Sequence, residues 1–299
     1  MSKLAYIYKQ LNNRDFKVLL VLEKYLTQYE YVPVELIEKE ARLPPQQLAM
    51  SLSKLSKLKL IQRRLGYLIG YRLTYVGYDC LAVRSLVQRG VLAALGDRMG
   101  VGKESDVYVG LTPTEEKVIV KFLRIGRTSF KQTRRVRDWA EGKPEYGWLM
   151  QSRVAAEKEY KALELLFKVN AKVPKPYGRS RHVVVTSYLE GIELYRYQNP
   201  TDPYHMLKVI LDTLRKAYMD VGIVHGDLSE YNVLVVVSDE VEEPYIIDWP
   251  QYVYREDPQS EYLLRRDIDY IVRFFKRKYR LNVDRDRTLR YVRGELDEL

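Results

Sequence analysis

Apolar residues recur at helical spacing along residues 1–57 and predict three helices. The first segment covers residues 1–30, with Asn13 predicted to cap a helix at a break within it. The second helix is predicted to start near Pro33, because proline fits the first turn of a helix. The third is predicted to open at Pro44-Pro45. Its apolar face would consist of Leu48, Leu52 and Leu55.

Alternating apolar and polar residues follow these helices over residues 60–74, on both sides of a turn that contains glycine. This pattern is typical of a two-stranded hairpin. Three helices followed by such a hairpin make a winged helix. The apolar pattern of residues 75–96 then predicts a connecting helix that ends near Gly96.

Short apolar runs separated by turns predict strands in the rest of the chain. These runs lie at residues 118–122, 183–189, 223–224, 233–237 and 245–247, and residues 152–163 have the spacing of a helix. Residues 124–148 are rich in arginine and lysine and hold few core candidates, so we predict a long basic loop there. Three hydroxyls of that loop could accept phosphate: Thr128, Ser129 and Thr133.

Composition limits the class of protein. Apolar residues make up 46% of the chain and charged residues 30%, which is typical of a globular protein in water. No apolar run approaches the roughly 20 residues of a membrane span, and the first residues lack the apolar core of a signal peptide. We therefore expect a cytoplasmic protein without membrane contact. One cysteine, Cys80, and three histidines argue against a disulfide framework and against a zinc site.

Most of the net charge of +10 lies in the first third of the chain. Residues 1–97 contain 15 Lys and Arg against 8 Asp and Glu, and the remainder is nearly balanced. A basic domain beside a near-neutral one favours a polyanionic partner, with nucleic acid ahead of a membrane surface.

The winged helix supplies candidates for nucleic-acid contact. Its third helix would enter a groove while residues of the wing touch phosphates. The candidates are Lys54, Lys57, Arg63, Arg64 and Arg72. The alternative is a protein-docking module whose charges form a solvated face.

A glycine-containing stretch at residues 99–109 could bind phosphate. Gly100 and Gly102 would let the backbone approach the anion, while Lys103 and Ser105 could donate hydrogen bonds to it. A tight hairpin turn explains the two glycines equally well. The stretch is not a Walker loop, because the required glycine spacing is absent.

Lys121 lies among apolar neighbours, where an unpaired ammonium group would be costly, so we expect it to have a carboxylate and a phosphate as partners. Glu159 is the candidate carboxylate, in preference to Glu157, because it falls on the inward stripe of its predicted helix. Backbone groups of Ser187 to Leu189 are predicted to hold an adenine ring.

Carboxylates and an amide stand between apolar runs near residue 230. A turn presents His225, Asp227 and Asn232, and the strand ending at Ile247 leads to Asp248. Phosphoryl transfer needs a carboxylate that orients the attacking hydroxyl and oxygen ligands for Mg²⁺. Asp227 would be the base, and Asn232 with Asp248 would hold the metal.

The order His-x-Asp-x₄-Asn, followed by a strand ending on Asp, resembles the catalytic and metal loops of the protein-kinase-like superfamily. The whole chain resembles an atypical protein kinase of the RIO family, in the subfamily with an N-terminal winged helix. The matching motifs are Gly-Lys-Glu-Ser at 102–105, Thr-Ser-Phe at 128–130, His-Gly-Asp-Leu-Ser-x-Tyr-Asn at 225–232, Ile-Asp-Trp-Pro-Gln at 247–251 and Arg266-Asp267.

This resemblance implies an α+β fold: a winged helix-turn-helix domain over residues 1–96 and a compact bilobal kinase-like domain over 97–299, with lobes at about 97–189 and 190–299. The implied cofactors are ATP and Mg²⁺, with Mn²⁺ as a substitute. The residues implied in holding the nucleotide are Gly100, Gly102, Lys103, Glu104, Ser105, Lys121, Glu159, Ser187 and Leu189. Asp227 would be catalytic, assisted by Lys121 and Asp248, and Asn232 with Asp248 would bind metal. Ser129 would be the autophosphorylation site, and the implied partner is the pre-ribosomal small subunit, through its rRNA and proteins.

The sequence departs from ordinary protein kinases. Gly226 replaces the arginine that reads a phosphorylated activation loop, and Trp249-Pro250 follows Asp248 where those enzymes have Phe-Gly. We therefore expect neither an activation loop nor a peptide-binding lobe. Two alternatives stay open: a small-molecule phosphotransferase of the aminoglycoside or choline kinase kind, and an RNA-binding nucleotide switch with little catalysis.

Overall fold

The computed structural model describes residues 2–66, 69–102, 104–125, 144–239 and 241–299. The chain forms two compact units. One contains Met1–Ala156 with Gly178–Val185, and the other contains Glu157–Tyr177 with Thr186–Leu299. The winged helix and most of the sheet that follows it therefore share the first unit. No helix in the described ranges is long and apolar enough to cross a membrane.

Four helices begin the first unit. They are α1 (Lys3–Lys9), α2 (Asn13–Lys24), α3 (Val34–Ala41) and α4 (Pro45–Lys57). The predicted cap Asn13 was wrong by one residue, because Asn12 accepts hydrogen bonds from the amides of Arg14 and Asp15 at 3.0 and 3.1 Å. The Asp15 carboxylate accepts in return from the Asn12 amide, which completes a capping box and makes the helix begin at Asn13.

The wing confirms the predicted winged helix. Its strands are β1 (Val32–Pro33), β2 (Ile61–Arg64) and β3 (Gly70–Leu73), in the order β1-β3-β2. The connecting helix α5 (Tyr75–Gln88) is shorter than predicted. Gly90 adopts φ +67°, a left-handed conformation that suits glycine and turns the chain out of the helix before Gly96.

A five-stranded sheet follows in the order β4-β5-β6-β8-β7. Its strands are β4 (Ala94–Val101), β5 (Ser105–Leu111), β6 (Lys117–Leu123), β7 (Pro176–Ser180) and β8 (Val183–Ser187). The antiparallel register places Ser105 opposite Leu123 and Val107 opposite Lys121. Helix α6 (Pro144–Lys168) starts within the predicted basic loop 124–148, so that prediction extended too far at its C-terminal end.

A buried ionic cluster links helix α5 to this sheet. Arg124, just after β6, donates to both oxygens of Asp79 at 2.7 Å and to Asp106 at 3.0 Å. His182 Nε2 lies 2.8 Å from both Asp79 Oδ1 and Arg124 Nη1. The four side chains are all buried. Burial tends to raise the pKa of Asp79, but the charges and hydrogen bonds of Arg124 and His182 together outweigh it and lower that pKa.

The second unit contains helices α7 (Pro203–Lys216), α8 (Ser260–Tyr279) and α9 (Arg285–Val292), with a π-helical turn at Ala217–Val221. Its strands are β9 (Gly191–Glu193), β10 (Ile223–Val224), β11 (Val233–Ser238), β12 (Val241–Ile246) and β13 (Val253–Tyr254). They form two sheets, ordered β12-β11-β9 and β10-β13. Helices α7 and α8 bury apolar faces that include Leu207, Ile210, Ile271 and Phe275. These faces form the core beneath the loop that follows β10.

Candidate active site

The loop after β10 carries His225, Gly226 and Asp227. Gly226 adopts φ +79°, and a Cβ at this position would lie 3.0 Å from the carbonyl oxygen of Gln251. Both the left-handed conformation and the close approach require glycine. The sharp turn leaves Asp227 exposed at the surface, with 72% of its side chain accessible.

Asp267 on helix α8 anchors this loop. Its two oxygens accept hydrogen bonds from the amides of Gly226 at 2.7 Å and Leu228 at 3.1 Å. The side chain is fully buried, and burial raises its pKa to about 7 although the two amide hydrogen bonds oppose the rise. The motif containing Asp267 contributed to the resemblance, but the sequence assigned it no role. The available signal was a carboxylate on the apolar stripe of a helix, between Leu264 and Ile268.

Arg266 lies beside the same loop. Its guanidinium donates to the carbonyl oxygen of Gly226 and lies 4.0 Å from the carboxylate of Asp227. Although the side chain is largely accessible, desolvation by the surrounding protein raises the pKa of the Asp227 carboxyl group, the charge of Arg266 opposes that rise, and the negative charge of Asp248 adds to it. A carboxyl group with a raised pKa is a better proton acceptor than an ordinary aspartate.

The antiparallel pairing of β11 with β12 brings the predicted metal ligands together. Val233 pairs with Ile246, so Asn232 and Asp248 project from the same end of the ladder. The Ile247 amide donates to the Asn232 carbonyl oxygen at 2.9 Å. The Asn232 side-chain amide donates to the Asp227 carbonyl oxygen at 3.1 Å, which fixes its orientation.

Asp248 adopts φ +68°, a conformation rare for residues with a Cβ and concentrated at functional sites. Carboxylate and amide oxygens are hard ligands of the kind Mg²⁺ prefers, and Mg²⁺ usually takes one or two carboxylates plus substrate phosphates. In the described ranges no three His, Cys, Asp or Glu residues form a metal cluster. The Asp248 carboxylate and the Asn232 amide oxygen therefore fit a magnesium ion that takes its other ligands from the phosphates of a nucleotide.

His225 connects the two loops. Its Nε2 lies 3.2 Å from the Ile247 carbonyl oxygen, and its Nδ1 accepts from the Asp227 amide at 3.3 Å. These contacts are consistent with a neutral ring that donates from Nε2. The ring packs on Trp249, with centroids 4.5 Å apart. His225 thus contacts both the loop that carries Asp227 and the segment that leads to Asp248.

The first unit holds the predicted phosphate loop. The Gly102 amide donates to the Ser105 carbonyl oxygen at 2.8 Å, and the Arg124 amide donates to the Glu104 carbonyl oxygen at 2.6 Å. A Cβ at Gly100 would meet no atom within 4 Å, so packing does not explain that glycine. Lys103 and Ser129 lie outside the described residues.

The remaining nucleotide candidates lie in both units. Lys121 is half-buried on β6, whereas Glu159 is buried on α6 and its alternative Glu157 is exposed. The pairing of Lys121 with Glu159 stays a prediction. The Ser187 amide donates to the Lys175 carbonyl, and the Leu189 carbonyl accepts from Gly191. Adenine binding by the backbone of Ser187 to Leu189 stays a prediction.

The winged-helix candidates differ in their surroundings. Lys54 forms a 2.7 Å ion pair with Asp15, whose side chain is only 1% exposed. Arg72 donates to Gln62 and lies over the Tyr31 ring, 4.9 Å from its centroid. Lys54 and Arg72 therefore make contacts within the winged-helix domain. The other three, Lys57, Arg63 and Arg64, are exposed.

Comparison with known proteins identifies the family of this chain. The family described as RIO domain matches residues 106–288, and the family described as Rio2, N-terminal, matches residues 8–89. A RIO-type serine/threonine-protein kinase Rio2 of Methanocaldococcus jannaschii is 35% identical over 274 residues, which cover 88% of this chain and 98% of that protein. Serine/threonine-protein kinase RIO2 of Saccharomyces cerevisiae is 33% identical, covering 96% of this chain and 68% of that protein. The chain spans 51% of the rio2 kinase of Dictyostelium discoideum, at 34% identity.

Two solved structures are similar to this chain over nearly its whole length. The crystal structure of the Rio2 kinase-ADP/Mg²⁺-phosphoaspartate complex from Chaetomium thermophilum has a TM-score of 0.85 at 30% identity, covering 97% of this chain and 89% of that one. A second crystal structure of that Rio2 kinase has a TM-score of 0.82 at 29% identity, covering 97% and 91%. The chain belongs to the RIO family of atypical protein kinases, in the group that carries the Rio2 N-terminal domain.

Proposed function

We propose that the protein is a Mg-ATP-dependent serine/threonine kinase or ATPase. The observation that carries this proposal is the convergence of Asp227, Asn232 and Asp248 at one end of the β11–β12 ladder. Buried Asp267 anchors the loop that carries Asp227. The similar solved Rio2 kinase with ADP and Mg²⁺ supports the choice of cofactors. Family membership argues against a dedicated small-molecule phosphotransferase.

Each residue has a proposed task. Asp248 and Asn232 would hold the magnesium ion, which neutralises charge on the phosphates when bound. Asp227 would orient the attacking hydroxyl or water and accept its proton, a role suited to its raised pKa. Lys121 would bind phosphate oxygens from β6. Gly226 and Asp267 would keep Asp227 in place and would not touch the nucleotide.

A second candidate reaction is ATP hydrolysis through phosphorylation of Asp248 itself. The phosphoaspartate in the solved relative favours it. In this reaction an oxygen of Asp248 attacks the γ-phosphorus, ADP leaves, and water later cleaves the acyl phosphate to restore the carboxylate. The two candidates differ in the phosphorylated protein they leave: direct transfer to a hydroxyl gives phosphoserine or phosphothreonine, whereas the second reaction passes through an acyl phosphate on Asp248 before phosphate is released.

The proposal is tested with γ-labelled ATP and Mg²⁺, by counting label on protein and label released as phosphate. Asp227→Asn should lower kcat by about 10²–10⁴-fold with little change in KM, because it removes a general base and leaves the binding groups. Asp286→Asn, an exposed aspartate in the first turn of α9, is the matched control and should behave as the parent. A loss confined to KM would assign Asp227 to nucleotide binding instead.

We also propose that the protein acts in maturation of the small ribosomal subunit, in the cytoplasm. The proposal rests on the family and on the basic excess of residues 1–97. Purified small subunits should accelerate phosphate release or stimulate labelling of protein. Turnover that is unaffected by subunits, together with no binding to them, would contradict this partner and leave the Mg-ATP chemistry standing.

A further inference from the structure

Two lysines of helix α6 meet two tyrosines of the chain that follows Asp248. Lys161 donates a hydrogen bond from Nζ to the Tyr254 hydroxyl oxygen at 2.9 Å, and the Tyr252 hydroxyl donates to the same oxygen at 3.3 Å. Lys158 lies over the Tyr252 ring, 4.9 Å from its centroid. We call these four residues the lysine–tyrosine link. All four belong to the second unit.

The two tyrosines of the link are fixed against each other. Their rings are perpendicular, with centroids 5.5 Å apart and an interplanar angle of 89°. Tyr252 is buried, whereas 46% of Tyr254 is exposed. The hydrogen bonds that the Tyr254 oxygen accepts, from Lys161 above all and then from Tyr252, lower the pKa of its hydroxyl. The buried ring of Tyr252 thus supports Tyr254, and Lys161 determines where the Tyr254 oxygen lies.

The lysines of the link stand on either side of Glu159 in the sequence of helix α6. Glu159 is buried and is the predicted carboxylate partner of Lys121. Lys158 is half-buried, and burial lowers its pKa, while Lys161 is exposed. The part of the helix that carries Glu159 is therefore attached, through the positions next to it, to the chain that follows Asp248.

The chain between Asp248 and the link also contacts the loop that carries Asp227. Trp249, the residue after Asp248, is fully buried and packs on the His225 ring. Strand β13, which contains Tyr254, pairs with strand β10, and β10 runs directly into His225. The link is thus joined to the proposed metal ligand by the covalent chain and to the proposed base by a strand pair.

The exposed hydrogen bond between Lys161 and Tyr254 is a weak source of stability, because water replaces such a bond at little cost. Its effect on orientation can be larger than its effect on folding. Ordinary protein kinases order the chain after the metal-binding aspartate by a phosphate that an arginine reads, and Gly226 leaves this chain without that arginine. The lysine–tyrosine link attaches the corresponding chain without a phosphate.

We propose that Lys161 and Tyr254 are positioning residues for the magnesium ion. Their hydrogen bond would hold the chain after Asp248 against helix α6 and thereby set where the Asp248 carboxylate lies relative to Asn232. The inference rests on the proposed Mg-ATP chemistry and adds to it two residues that act through Asp248. Loss of the bond should weaken metal binding and leave the fold intact.

Binding of Mn²⁺ in the presence of ADP tests the proposal, with the free ion measured by electron paramagnetic resonance. Tyr254→Phe removes the acceptor oxygen and keeps the ring, so the affinity for Mn²⁺ should fall about 5-fold, the effect of one hydrogen bond of ordinary strength. Tyr262→Phe removes the hydroxyl of an exposed tyrosine on α8 and is the matched control. Equal affinity in the parent and in Tyr254→Phe would overturn the proposal.

Substitutions of Lys161 test whether the effect belongs to the contact itself. Lys161→Met should weaken Mn²⁺ binding as Tyr254→Phe does, and Lys161→Arg, which keeps a charged donor, should restore most of the affinity. Lys168→Met, in the last turn of the same helix, is the control. Lys161→Met combined with Tyr254→Phe should bind Mn²⁺ no more weakly than either single variant, because each removes the same hydrogen bond. Additive losses would contradict the proposed contact.

Thermal unfolding and ATP turnover separate the inference from its alternatives. The midpoints of the link variants should stay within about 4 °C of the parent, and the Mg²⁺ concentration at half-maximal turnover should rise as Mn²⁺ affinity falls. A lower midpoint with unchanged Mn²⁺ affinity would assign the link to folding alone and overturn the proposal. Turnover and metal binding that are equal in parent and variants would overturn it while leaving the proposed enzyme intact. A parent with neither activity would overturn both.

Discussion

Asp267 shows how one buried residue can fix the conformation of the loop that carries the proposed base Asp227. Its carboxylate receives two backbone amides from the loop that carries Asp227, and Arg266 binds the same loop from the next position of α8. The sequence assigned Asp267 no role beyond its place in a family motif, and the structure shows that it lies between Leu264 and Ile268 on the buried face of α8. Its ionisation state is therefore coupled to the geometry of the loop.

We predict a pH dependence that can be traced to Asp267. Its pKa is about 7 in the folded protein, against an ordinary value of 3.8. The folded state therefore holds a proton that the unfolded state releases, so this group makes the free energy of unfolding fall as pH rises from about 4 to about 7. Urea unfolding from pH 5 to pH 8 should show this fall in the parent. Asp267→Asn should reduce it by more than about 1 kcal/mol.

Asp269→Asn, on the same helix but partly exposed, is the control for that experiment and should keep the slope of the parent. Comparison of the variants cancels the contribution of buried His182, whose pKa is lowered by burial and which acts in the opposite direction at acid pH. Identical slopes in the parent and in Asp267→Asn would show that the carboxyl group titrates at an ordinary pKa.

At the scale of elements, the Arg124 cluster joins helix α5 to strands β5 and β6. These strands carry Ser105 and Lys121, and the Arg124 amide donates to the Glu104 carbonyl oxygen in the predicted phosphate loop. The cluster consists of two buried carboxylates, one guanidinium and one imidazole. Removal of the guanidinium would leave buried Asp79 without its two Arg124 hydrogen bonds and would weaken the compensation of buried Asp106.

Arg124→Gln should therefore lower the free energy of unfolding by about 3–5 kcal/mol, the cost typical of breaking a buried ion pair. Arg98→Gln is the matched control. Arg98 lies 3.7 Å from the same Asp106 but is half exposed, so its loss should cost less than about 1 kcal/mol. Chemical denaturation of both variants measures the difference. Equal effects would mean that the cluster contributes no more than a surface pair.

Most elements were predictable from the sequence, because periodicity in apolar residues is a local signal. The three predicted helices and the hairpin of the winged helix were found this way, as was the strand carrying Lys121. The end of α5 at Gln88 was missed, because it depends on the conformation of a single glycine, Gly90. The Arg124 cluster was not predictable. Asp79 and His182 are distant in sequence, and charged residues are ordinarily exposed. The convergence of Asn232 with Asp248 was predictable, since two short strands and a turn separate them.

At the scale of the whole molecule, the basic excess of residues 1–97 does not form a uniform surface. Lys54 neutralises buried Asp15, and Arg72 packs on Tyr31. A count of charges in the sequence cannot separate such internal cations from exposed ones. Substitution of an internal cation should destabilise the domain, whereas substitution of an exposed one should weaken binding to a partner.

Charge reversal at Lys57, Arg63 and Arg64 together should weaken binding to small ribosomal subunits, with a smaller salt dependence and unchanged ATP turnover. Lys54→Glu should instead destabilise the winged helix by about 3 kcal/mol or more, because it places a carboxylate beside buried Asp15. Sedimentation with subunits and thermal unfolding distinguish the two outcomes. Normal subunit binding by the triple variant would favour a protein-docking role for the domain.

The left-handed backbone at Asp248 implies that the chain gives up stability at the position proposed to hold the metal. Glycine would adopt φ +68° without strain and would remove the negative charge that acts on Asp227. Asp248→Gly should thus raise the free energy of unfolding by about 1 kcal/mol while turnover is lost. Backbone geometry alone would favour glycine at residue 248, so the strain held by an aspartate there agrees with the metal-binding role proposed for it.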